Sequence, residues 1–575
     1  CEDLFWQSAP LAPGGPQRVP LAITLLDTVM ALLFLPGFTL NEFAAAPPSL
    51  AQLRQRRNAV LPLANIWEAG VGTTDTFPSD ATHVTARIEV LKLLLCCLSS
   101  SMYHRPSSQQ RAADSWLHYV CTRPTYYTSG FFLSLLNVAC TYDPVGWGVP
   151  YNYVFFGDPR EELTYLALQL LSVLLEYQPA SSPNSESSPK NVFQRYLAAI
   201  PPSSFAFVYD GLAKLLSNPR DAAQTYLPSS TKELLCQQET LCVLWRVLLG
   251  HPALTQWVLT EADATRVVEP LLLAMLQSRK DEASLGLVHL GVFVLLLLSG
   301  ERAFGVALNS AHFSNTEALG RTDGSLADLL VLTFAKLLVD SHVRLATLHE
   351  CMLTIIANIA PYIKSLNVAA SVKLLQLFDM FSKRKYLFAG ERNHRYVFFL
   401  LEAINSLVQY QYEGNVQVVY AILRYKKAFA RLANMTLVPP GDDESEVEAS
   451  LGGPVQQQRG SDKDGFVGTQ AWFDEWKTKM PLGTVLRVID HLSPTVKDLL
   501  TGTAEDDAKI VEYLTKTTLV GTLPVPHPIL IRKYQQNSAT ASWFRNYLWG
   551  VVFTRNTQPP LFYGTQIKLF TVAIQ

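Results

Sequence analysis

Apolar residues recur along this chain at the spacing of amphipathic helices, every three or four positions. The pattern is clearest at Leu163, Leu166, Ala167, Leu170, Leu171, Leu174 and Leu175. Similar stripes begin at Ile88 and Leu326, and Asp323 and Ser325 before the latter are residue types that cap helix N-termini. The alternation typical of strands is rare and is clearest at residues 566–572. The sequence therefore predicts an all-α fold that ends in one short strand.

Short breaks of Pro, Gly, Asn or Ser separate the predicted helices, as at residues 217–219, 250–252 and 300–301. This succession predicts helix hairpins stacked side by side in an irregular armadillo- or HEAT-like array. The array is irregular because no fixed repeat period is present, and a compact helical bundle is the alternative.

The chain divides by composition into three parts. Residues 439–465 are acidic and rich in Gly and Gln, and they have too little apolar surface to offset the entropy of ordering. We therefore predict a disordered acidic linker there, between a helical region at 1–438 and a smaller C-terminal helical region at 466–575. Because the chain begins with Cys1 rather than Met, we expect the N-terminal region to be truncated.

Composition and charge narrow the function classes. The chain of 575 residues carries a formal net charge of -2, so it has no excess of Lys and Arg to neutralise a nucleic acid. The eight cysteines form no C-x-x-C pair and lie mostly in apolar runs, which is typical of small buried residues in a reducing compartment. The apolar run 285–298 is shorter than a bilayer requires, and the run 21–38 contains Asp27. We predict no membrane span.

The chain contains no nucleotide-binding loop, zinc-protease motif, nucleophile elbow or kinase signature. We therefore predict no catalytic residues, no metal ligands, no cofactor and no small-molecule substrate. The alternative is an unrecognised hydrolase, in which dispersed residues such as Glu68, Asp143 or His527 would converge in a deep pocket.

Three unusual segments, here called the motif segments, combine turn residues with aromatic ones. The first is IWEAGVG at 66–72, with Trp67, Glu68, Gly70 and Gly72. The second is YDPVGWGVPYNYVFF at 142–156, with Asp143, Pro144, Gly146, Gly148 and Pro150. The third is a C-terminal pair, PVPHPILIRKYQ at 524–535 and a segment at 543–570, with His527, Pro528, Arg532, Lys533, Tyr534, Trp543, Arg545, Trp549, Pro559 and Pro560. Such residues more often fix a fold than bind a partner.

The motif segments resemble the high-temperature-induced dauer-formation (Hid-1-type) family, which is related to dymeclin. The resemblance covers essentially the whole chain in the same order. It implies an armadillo-like helical protein without established enzymatic activity, peripheral to medial and trans Golgi membranes and required for protein sorting and secretory vesicle formation. Animal members of the family begin Met-Gly and are myristoylated, but this chain offers no residues that match that anchor.

A basic face is a candidate for contact with the membrane. Between residues 416 and 432 the helical spacing places Val418, Val419, Ile422 and Phe429 on one side. The candidate basic residues are Arg424, Lys427 and Arg431 on the other side, with Lys383, Arg384 and Lys385 upstream. Such residues attract an anionic cytosolic leaflet, whereas an ordinary solvated helix face is the alternative.

The helical pattern and the lack of catalytic motifs predict a non-catalytic scaffold. The resemblance implies that this scaffold acts on the cytosolic leaflet of Golgi membranes, where it would bind proteins of the trafficking machinery. A helical-repeat adaptor that binds proteins outside the Golgi is the alternative within the same fold.

Overall fold

The structure is a computed structural model. It describes residues 2–7, 19–44, 65–74, 80–103, 114–144, 157–179, 190–225, 230–316, 319–340, 343–437, 466, 468–499, 506–519, 521–525 and 528–562. The predicted linker at 439–465 and the predicted strand at 566–572 lie outside these residues.

Contacts divide the chain into two compact units, and each is described by itself. The first unit comprises Cys1–Leu271 with Gln535–Gln575, and the second comprises Leu272–Tyr534. The region 466–575 thus contributes residues to both units, and the three-part division by composition stays a prediction.

The described part of the first unit contains helices α1 to α10, the first half of α11, and α24. These are α1 (Glu2–Trp6), α2 (Leu21–Leu32), α3 (Ala81–Leu98), α4 (Ser115–Thr122), α5 (Thr128–Thr141), α6 (Pro159–Glu176), α7 (Val192–Ala198), α8 (Phe205–Ala223), α9 (Gln237–Gly250), α10 (Pro252–Thr260), α11 (Thr265–Ser278) and the C-terminal α24 (Ser538–Arg555). The boundary between the units falls within α11.

The second unit holds the remaining helices and one hairpin. They are α12 (Leu285–Ser299), α13 (Arg302–Ala307), β1 (Ala311–Thr316), β2 (Gly320–Ser325), α14 (Leu326–Asp340), α15 (His349–Ile359), α16 (Val368–Phe381), α17 (Arg384–Leu387), α18 (His394–Tyr410), α19 (Val416–Arg424), α20 (Lys426–Ala433), α21 (Gln470–Thr478), α22 (Gly483–Leu499) and α23 (Asp506–Lys516). Short 3-10 turns join several of them.

Helix α6 is central to the first unit, where it packs against α3, α5, α9 and α24. The Asp158 carboxylate accepts the backbone N–H of Arg160, Pro159 occupies the first turn, and two glutamates follow it. These residues satisfy free amides and suit the positive end of the helix dipole, so they explain where α6 begins. Its predicted leucine stripe is buried, which confirms the interpretation of that segment.

In the second unit α15 packs against α12 and α18, while α16 packs against α14, α18 and α19. The hairpin pairs β1 with β2 in antiparallel register from Ala311 opposite Ser325 to Thr316 opposite Gly320. Ser325 and Asp328 then exchange hydrogen bonds at the start of α14, which confirms Ser325 as a cap. Asp323 is not the N-cap residue of α14, because it lies two residues before Ser325, opposite Phe313 in the hairpin.

The all-α class is confirmed, and the hairpin is the exception that the sequence did not indicate, since its strands are short and polar. The predicted breaks at 250–252 and 300–301 fall between helices. The predicted break at 217–219 is wrong, because α8 continues through Pro219. A proline near the end of a helix removes one backbone hydrogen bond. The helix continues because Leu215, Leu216 and Asn218 on this stretch remain buried. The armadillo-like arrangement stays a prediction.

Within the described residues, one helical stretch, Glu282–Ser299, is long and apolar enough by length and composition to cross a membrane. In the structure 56% of it is buried, and α12 within it packs against α13 and α15. His289 lies in this stretch, and burial lowers its pKa to about 4. These observations are consistent with the core helix that the sequence predicts.

Helices α5 and α8 approach closely at Gly211. A Cβ atom at this position would lie 2.5 Å from the backbone Cα of Cys140. Backbone atoms cannot move aside as a flexible side chain can, so the contact requires glycine.

We expect Gly211→Ala to lower the free energy of unfolding by about 1–3 kcal/mol, because the cost of overpacking exceeds the gain in helix propensity. The matched control is Gly483→Ala in α22, where an added Cβ meets nothing within 4 Å. Thermal unfolding followed by circular dichroism measures both. A Tm for Gly211→Ala equal to that of the control would contradict the close approach.

The buried His349 makes the stability of the fold depend on pH. Burial lowers the pKa of His349, which lies between Phe381 and Tyr396, to about 4. The unfolded chain takes up this proton near pH 6.5 and the folded chain only near pH 4, so stability falls as pH drops across that window. We expect His349→Leu to lose less Tm than the parent protein between pH 7.5 and pH 5. The exposed His491→Leu is the control, and parallel losses in all three proteins would refute the assignment.

Candidate functional site

The first motif segment is a loop held by α5. The Asn137 side chain donates to the carbonyls of Glu68 (2.9 Å) and Val71 (3.2 Å) and accepts the N–H of Val71 (2.9 Å). The Ser134 hydroxyl, one helical turn earlier, accepts the N–H of Trp67. A buried amide thus satisfies backbone groups of the loop that would otherwise lack partners.

Trp67 ties this loop to its surroundings. Its buried indole donates to the carbonyl of Leu33 (3.2 Å), and the Arg87 guanidinium lies 5.1 Å from its ring centroid. The Arg87 Nε donates in turn to the carbonyl of Thr39. Burial lowers the pKa of Arg87 to about 10, although the negative charge of Glu68 acts in the opposite direction. Burial also raises the pKa of Glu68. These contacts join three segments of the first unit: the loop with Trp67, the residues around Leu33 and Thr39, and helix α3 with Arg87.

The glycines of this loop have backbone roles. Gly70 and Gly72 both have positive φ, and a Cβ at Gly70 would lie 2.4 Å from the ring of Phe207. In the second motif segment, Asp143 forms an exposed ion pair with Lys214 (2.9 Å) and Pro144 follows it. Gly146, Gly148 and Pro150 lie outside the described residues, as does His527.

The C-terminal helix α24 docks on α6 and α9 through specific polar contacts. The Arg555 Nε donates to the buried carboxylate of Glu239 (2.7 Å), and the Tyr547 hydroxyl donates to Gln238 (2.8 Å). Just beyond the helix, Asn556 donates to Gln169 (2.7 Å). A charged hydrogen bond to a buried carboxylate is costly to break, so α24 is an integral part of the first unit.

The remaining residues of the C-terminal motif segment differ in burial. Trp549 is buried, and Trp543 stacks on Tyr547 with ring centroids 5.1 Å apart. Arg545 lies on the same helix and is half-buried, whereas Pro559 and Pro560 are exposed in the turn that follows. The predicted helical apolar surface is therefore largely a packing surface.

The segment around Arg532 belongs to the second unit and packs against its helices. The buried Asn358 side chain of α15 accepts the N–H of Arg532 and donates to its carbonyl, both at 2.9 Å. Arg532 forms an ion pair with Glu402 (2.8 Å), and Lys533 forms one with Glu301 (2.7 Å). Tyr534 lies 6.4 Å from the ring of Phe293, while Pro528 is exposed. Four of the motif residues thus lie together in this segment.

Five of the six candidate basic residues lie in or next to α17 or α20, and the separate one, Arg424, ends α19. Contacts link three of the five. Lys383 and Arg431 both pair with Asp379, at 3.5 and 2.9 Å. Arg384 donates to the carbonyl of Thr436 and lies 4.7 Å from the Phe388 ring. Lys385 and Lys427 are exposed and form no ion pair among the described residues.

Arg424 is the separate residue, since it pairs with Asp507 (3.5 Å) and with the hydroxyl of Tyr420. The single helix expected from 416 to 432 is interrupted at Tyr425, where α19 ends and α20 follows. The apolar side of the stripe is nevertheless buried as predicted, at Val418, Val419, Ile422 and Phe429.

One cleft of about 260 Å³ was not predicted from the sequence. It is lined by Trp472, Trp476, Phe398, His394, Met480 and five charged residues. The aromatic pair of α21 carried a signal, the i, i+4 spacing of two tryptophans, that sequence reasoning did not use.

The predicted burial of the cysteines is confirmed for four residues. Cys121, Cys140, Cys236 and Cys242 are buried, and burial raises the pKa of Cys140 and of Cys236 to about 12. Thiols of this kind are poor nucleophiles and poor metal ligands. Among the described residues no group of three or more His, Cys, Asp and Glu side chains could hold a metal ion.

Comparison with known proteins places these features in a wider context. A family model described as Dymeclin (Dyggve-Melchior-Clausen syndrome protein) matches residues 7–551. Protein HID1 of Homo sapiens is 36% identical over 99% of this chain and 85% of its own length. Protein HID1 of Dictyostelium discoideum is 29% identical over 96% of this chain and 76% of its own length. Ubp5-interacting protein ftp105 of Schizosaccharomyces pombe is 27% identical over 77% of this chain and 48% of its own length. No solved structure matches.

We expect Asn137→Ala to destabilise the first unit by about 2–4 kcal/mol, because it leaves buried backbone groups of the 66–72 loop without partners. The exposed Asn434→Ala is the control and should change stability by less than about 0.5 kcal/mol. Chemical denaturation measures the effect, and limited proteolysis should show faster cleavage within the loop. Equal stability of the two variants would show that Asn137 does not hold the loop.

Proposed function

Because this chain belongs to the dymeclin family and matches its Hid-1 members over nearly its whole length, we propose that it is a non-catalytic scaffold on the cytosolic surface of Golgi membranes. In this role it binds other proteins of the trafficking machinery and contributes to protein sorting and secretory vesicle formation. The observation that carries the proposal is the match over 99% of this chain, which includes every motif segment.

The use of the motif residues supports a scaffold. Trp67, Gly70, Arg532 and Trp549 take part in packing or in holding the backbone. Glu68, one of the residues considered for a hydrolase, faces Arg87, while Asp143 pairs at the surface with Lys214. Chemistry at these positions would have to compete with those structural contacts.

A relative supports the protein-binding part of the proposal. The fission-yeast protein is named for its interaction with Ubp5. Helical proteins with large surfaces commonly bind partners along extended faces. We therefore propose that this chain acts by binding other proteins through its surface.

The basic group around α17 and α20 supports peripheral contact with an anionic membrane. Lys385 and Lys427 form no ion pair within the part of the chain that the structure describes, and Lys383 and Arg431 share one aspartate between them. Each basic residue near an anionic leaflet contributes about 1 kcal/mol. One lipid chain alone binds a membrane only marginally, so such a group would strengthen an otherwise weak attachment.

We expect Lys385→Glu with Lys427→Glu in the full-length protein to move it from Golgi membranes toward the cytosol. Loss of two contacts of about 1 kcal/mol each weakens membrane binding roughly 30-fold. These lysines are preferred to Arg424 and Arg431, because reversal there would also break ion pairs. Overlap of a fluorescent fusion with a Golgi marker, and sedimentation of membranes, measure the change.

The control is Lys190→Glu with Lys280→Glu, which changes the net charge equally at two exposed positions elsewhere. A normal Golgi distribution of the Lys385/Lys427 variant would reject the basic face. A diffuse distribution of the parent protein would reject the Golgi proposal and favour an adaptor outside the Golgi.

A further inference from the structure

The segment around Arg532 is held in the manner of a bound peptide. Asn358 contacts both the N–H and the carbonyl of Arg532, and its amide also donates to the Ser299 hydroxyl (3.1 Å). One side chain reaches both groups of one residue when they point to the same side, as they do in extended backbone. Contacts of this kind bind the backbone and do not depend on the side chain that is present. They are therefore compatible with any sequence in this conformation.

The neighbouring side chains supply sequence preference. The Arg532 guanidinium pairs with Glu402 and lies 5.0 Å from the Phe399 ring, which combines a charged hydrogen bond with a cation–π contact. The next residue of the segment, Lys533, forms an ion pair with Glu301. Helices α12, α15 and α18, with the turn after α12, thus present an acidic and aromatic surface that fits an arginine followed by a lysine.

The next position completes the pattern. Tyr534 packs near Phe293 on α12, with the ring planes inclined by 47°. The three consecutive residues therefore each contact a different part of one surface, which we call the Asn358 groove: Asn358, Glu402, Phe399, Glu301 and Phe293. Together these five residues contact the backbone or the side chains of one Arg-Lys-aromatic sequence.

The segment is also poorly buried. Leu530 is 71% exposed and Ile529 is 38% exposed, and Lys533 is exposed as well. Segments with few buried apolar contacts open at low free-energy cost. Arg532 and Tyr534 are half-buried, and the residues before them add little apolar burial that would oppose release of the segment.

We propose that the Asn358 groove is a docking site for an extended Arg-Lys-aromatic segment of a partner protein, and that Arg532–Lys533–Tyr534 of this chain occupies it in the absence of that partner. The inference rests on the proposed protein-binding role and names the chemistry of one partner. The built-in segment acts as a competitor, because a covalently attached ligand has an effective concentration in the millimolar range. Binding by a partner segment is therefore weak until the built-in segment is displaced.

The test uses a fluorescein-labelled peptide, PILIRKYQQ, which copies residues 528–536. Fluorescence anisotropy measures its binding to the whole chain and to the variant Arg532→Ala with Lys533→Ala, which weakens the built-in segment. We expect the variant to bind the peptide at least about tenfold more tightly than the parent chain does, because the competing side chains are gone. Equal affinities, or no binding to the variant, would overturn the proposal.

Two controls make the result specific to the groove. A charge-reversed peptide, PILIEEYQQ, should not bind the variant, because Glu301 and Glu402 would repel it. Adding Glu301→Gln and Glu402→Gln to the variant should abolish the gain in affinity. Binding of both peptides alike, or a gain that survives the glutamine substitutions, would also overturn the proposal.

Folding is checked by circular dichroism before each titration. If the double variant does not fold, Lys533→Ala alone replaces it, since this exposed side chain contacts the groove through Glu301. An affinity for PILIRKYQQ that this single change leaves equal to that of the parent chain would reject the proposal. A normal Golgi distribution of a protein that fails the peptide test would reject the groove and leave the scaffold proposal standing.

Discussion

Asparagine side chains hold several of the described non-helical segments of this protein in place, and two of the motif segments, the loop at 66–72 and the segment around Arg532, depend on them. Asn137 holds the loop at 66–72, and Asn358 holds the backbone of Arg532. Three further asparagines bind a carbonyl and an N–H of a distant segment in the same way: Asn218 at residues 232–234, Asn309 at 362–364 and Asn415 at 363–366. The amide group suits this role because it carries a donor and an acceptor on one rigid plane, as a peptide group does. Helices satisfy their own backbone, but a segment that crosses their buried faces does not, and it requires such a partner.

This constraint explains why the motif segments combine glycine, proline and aromatic residues. A segment held by one amide must turn sharply near it, and Gly70 provides such a turn beside Asn137 and Phe207. The aromatic residues then cover the polar contact, as Trp67 does within the first unit. The segment around Arg532 is more exposed than the loop at 66–72. There the same kind of asparagine contact forms part of the proposed docking groove. The proposed scaffold function uses the exposed surfaces that these packed segments leave free.

The sequence predicted helix class and helix positions well, because an amphipathic stripe is a local signal. The stripes at α3, α6 and α14 coincide with helices, and the breaks before α10 and α13 were visible as Gly-Pro and Gly-Glu. Pro219 misled the prediction, because burial of its neighbours outweighs the cost of a proline late in a helix. The hairpin was not predicted, because its two paired strands are short and polar and lack an alternation of apolar residues. The asparagine contacts could not be predicted, since they join residues that are distant along the chain. The i, i+4 spacing of Trp472 and Trp476 is present in the sequence, but the cleft that they line depends on packing. Of the candidate basic residues, the grouping of Lys383, Arg384 and Arg431 arises from tertiary structure, and so does the separate pairing of Arg424.

Hydrogen exchange of backbone amides tests the central claim most directly. The N–H groups of Val71, Leu234, Lys364, Leu366 and Arg532 lie outside helices and strands, and each donates to an asparagine side chain. If these side chains hold the segments, the five amides exchange roughly a hundredfold or more slowly than amides of an unstructured chain. The amide of Arg532 should be the least protected of the five, because its segment is the most exposed. Exchange of all five at the rate of exposed coil would contradict the account.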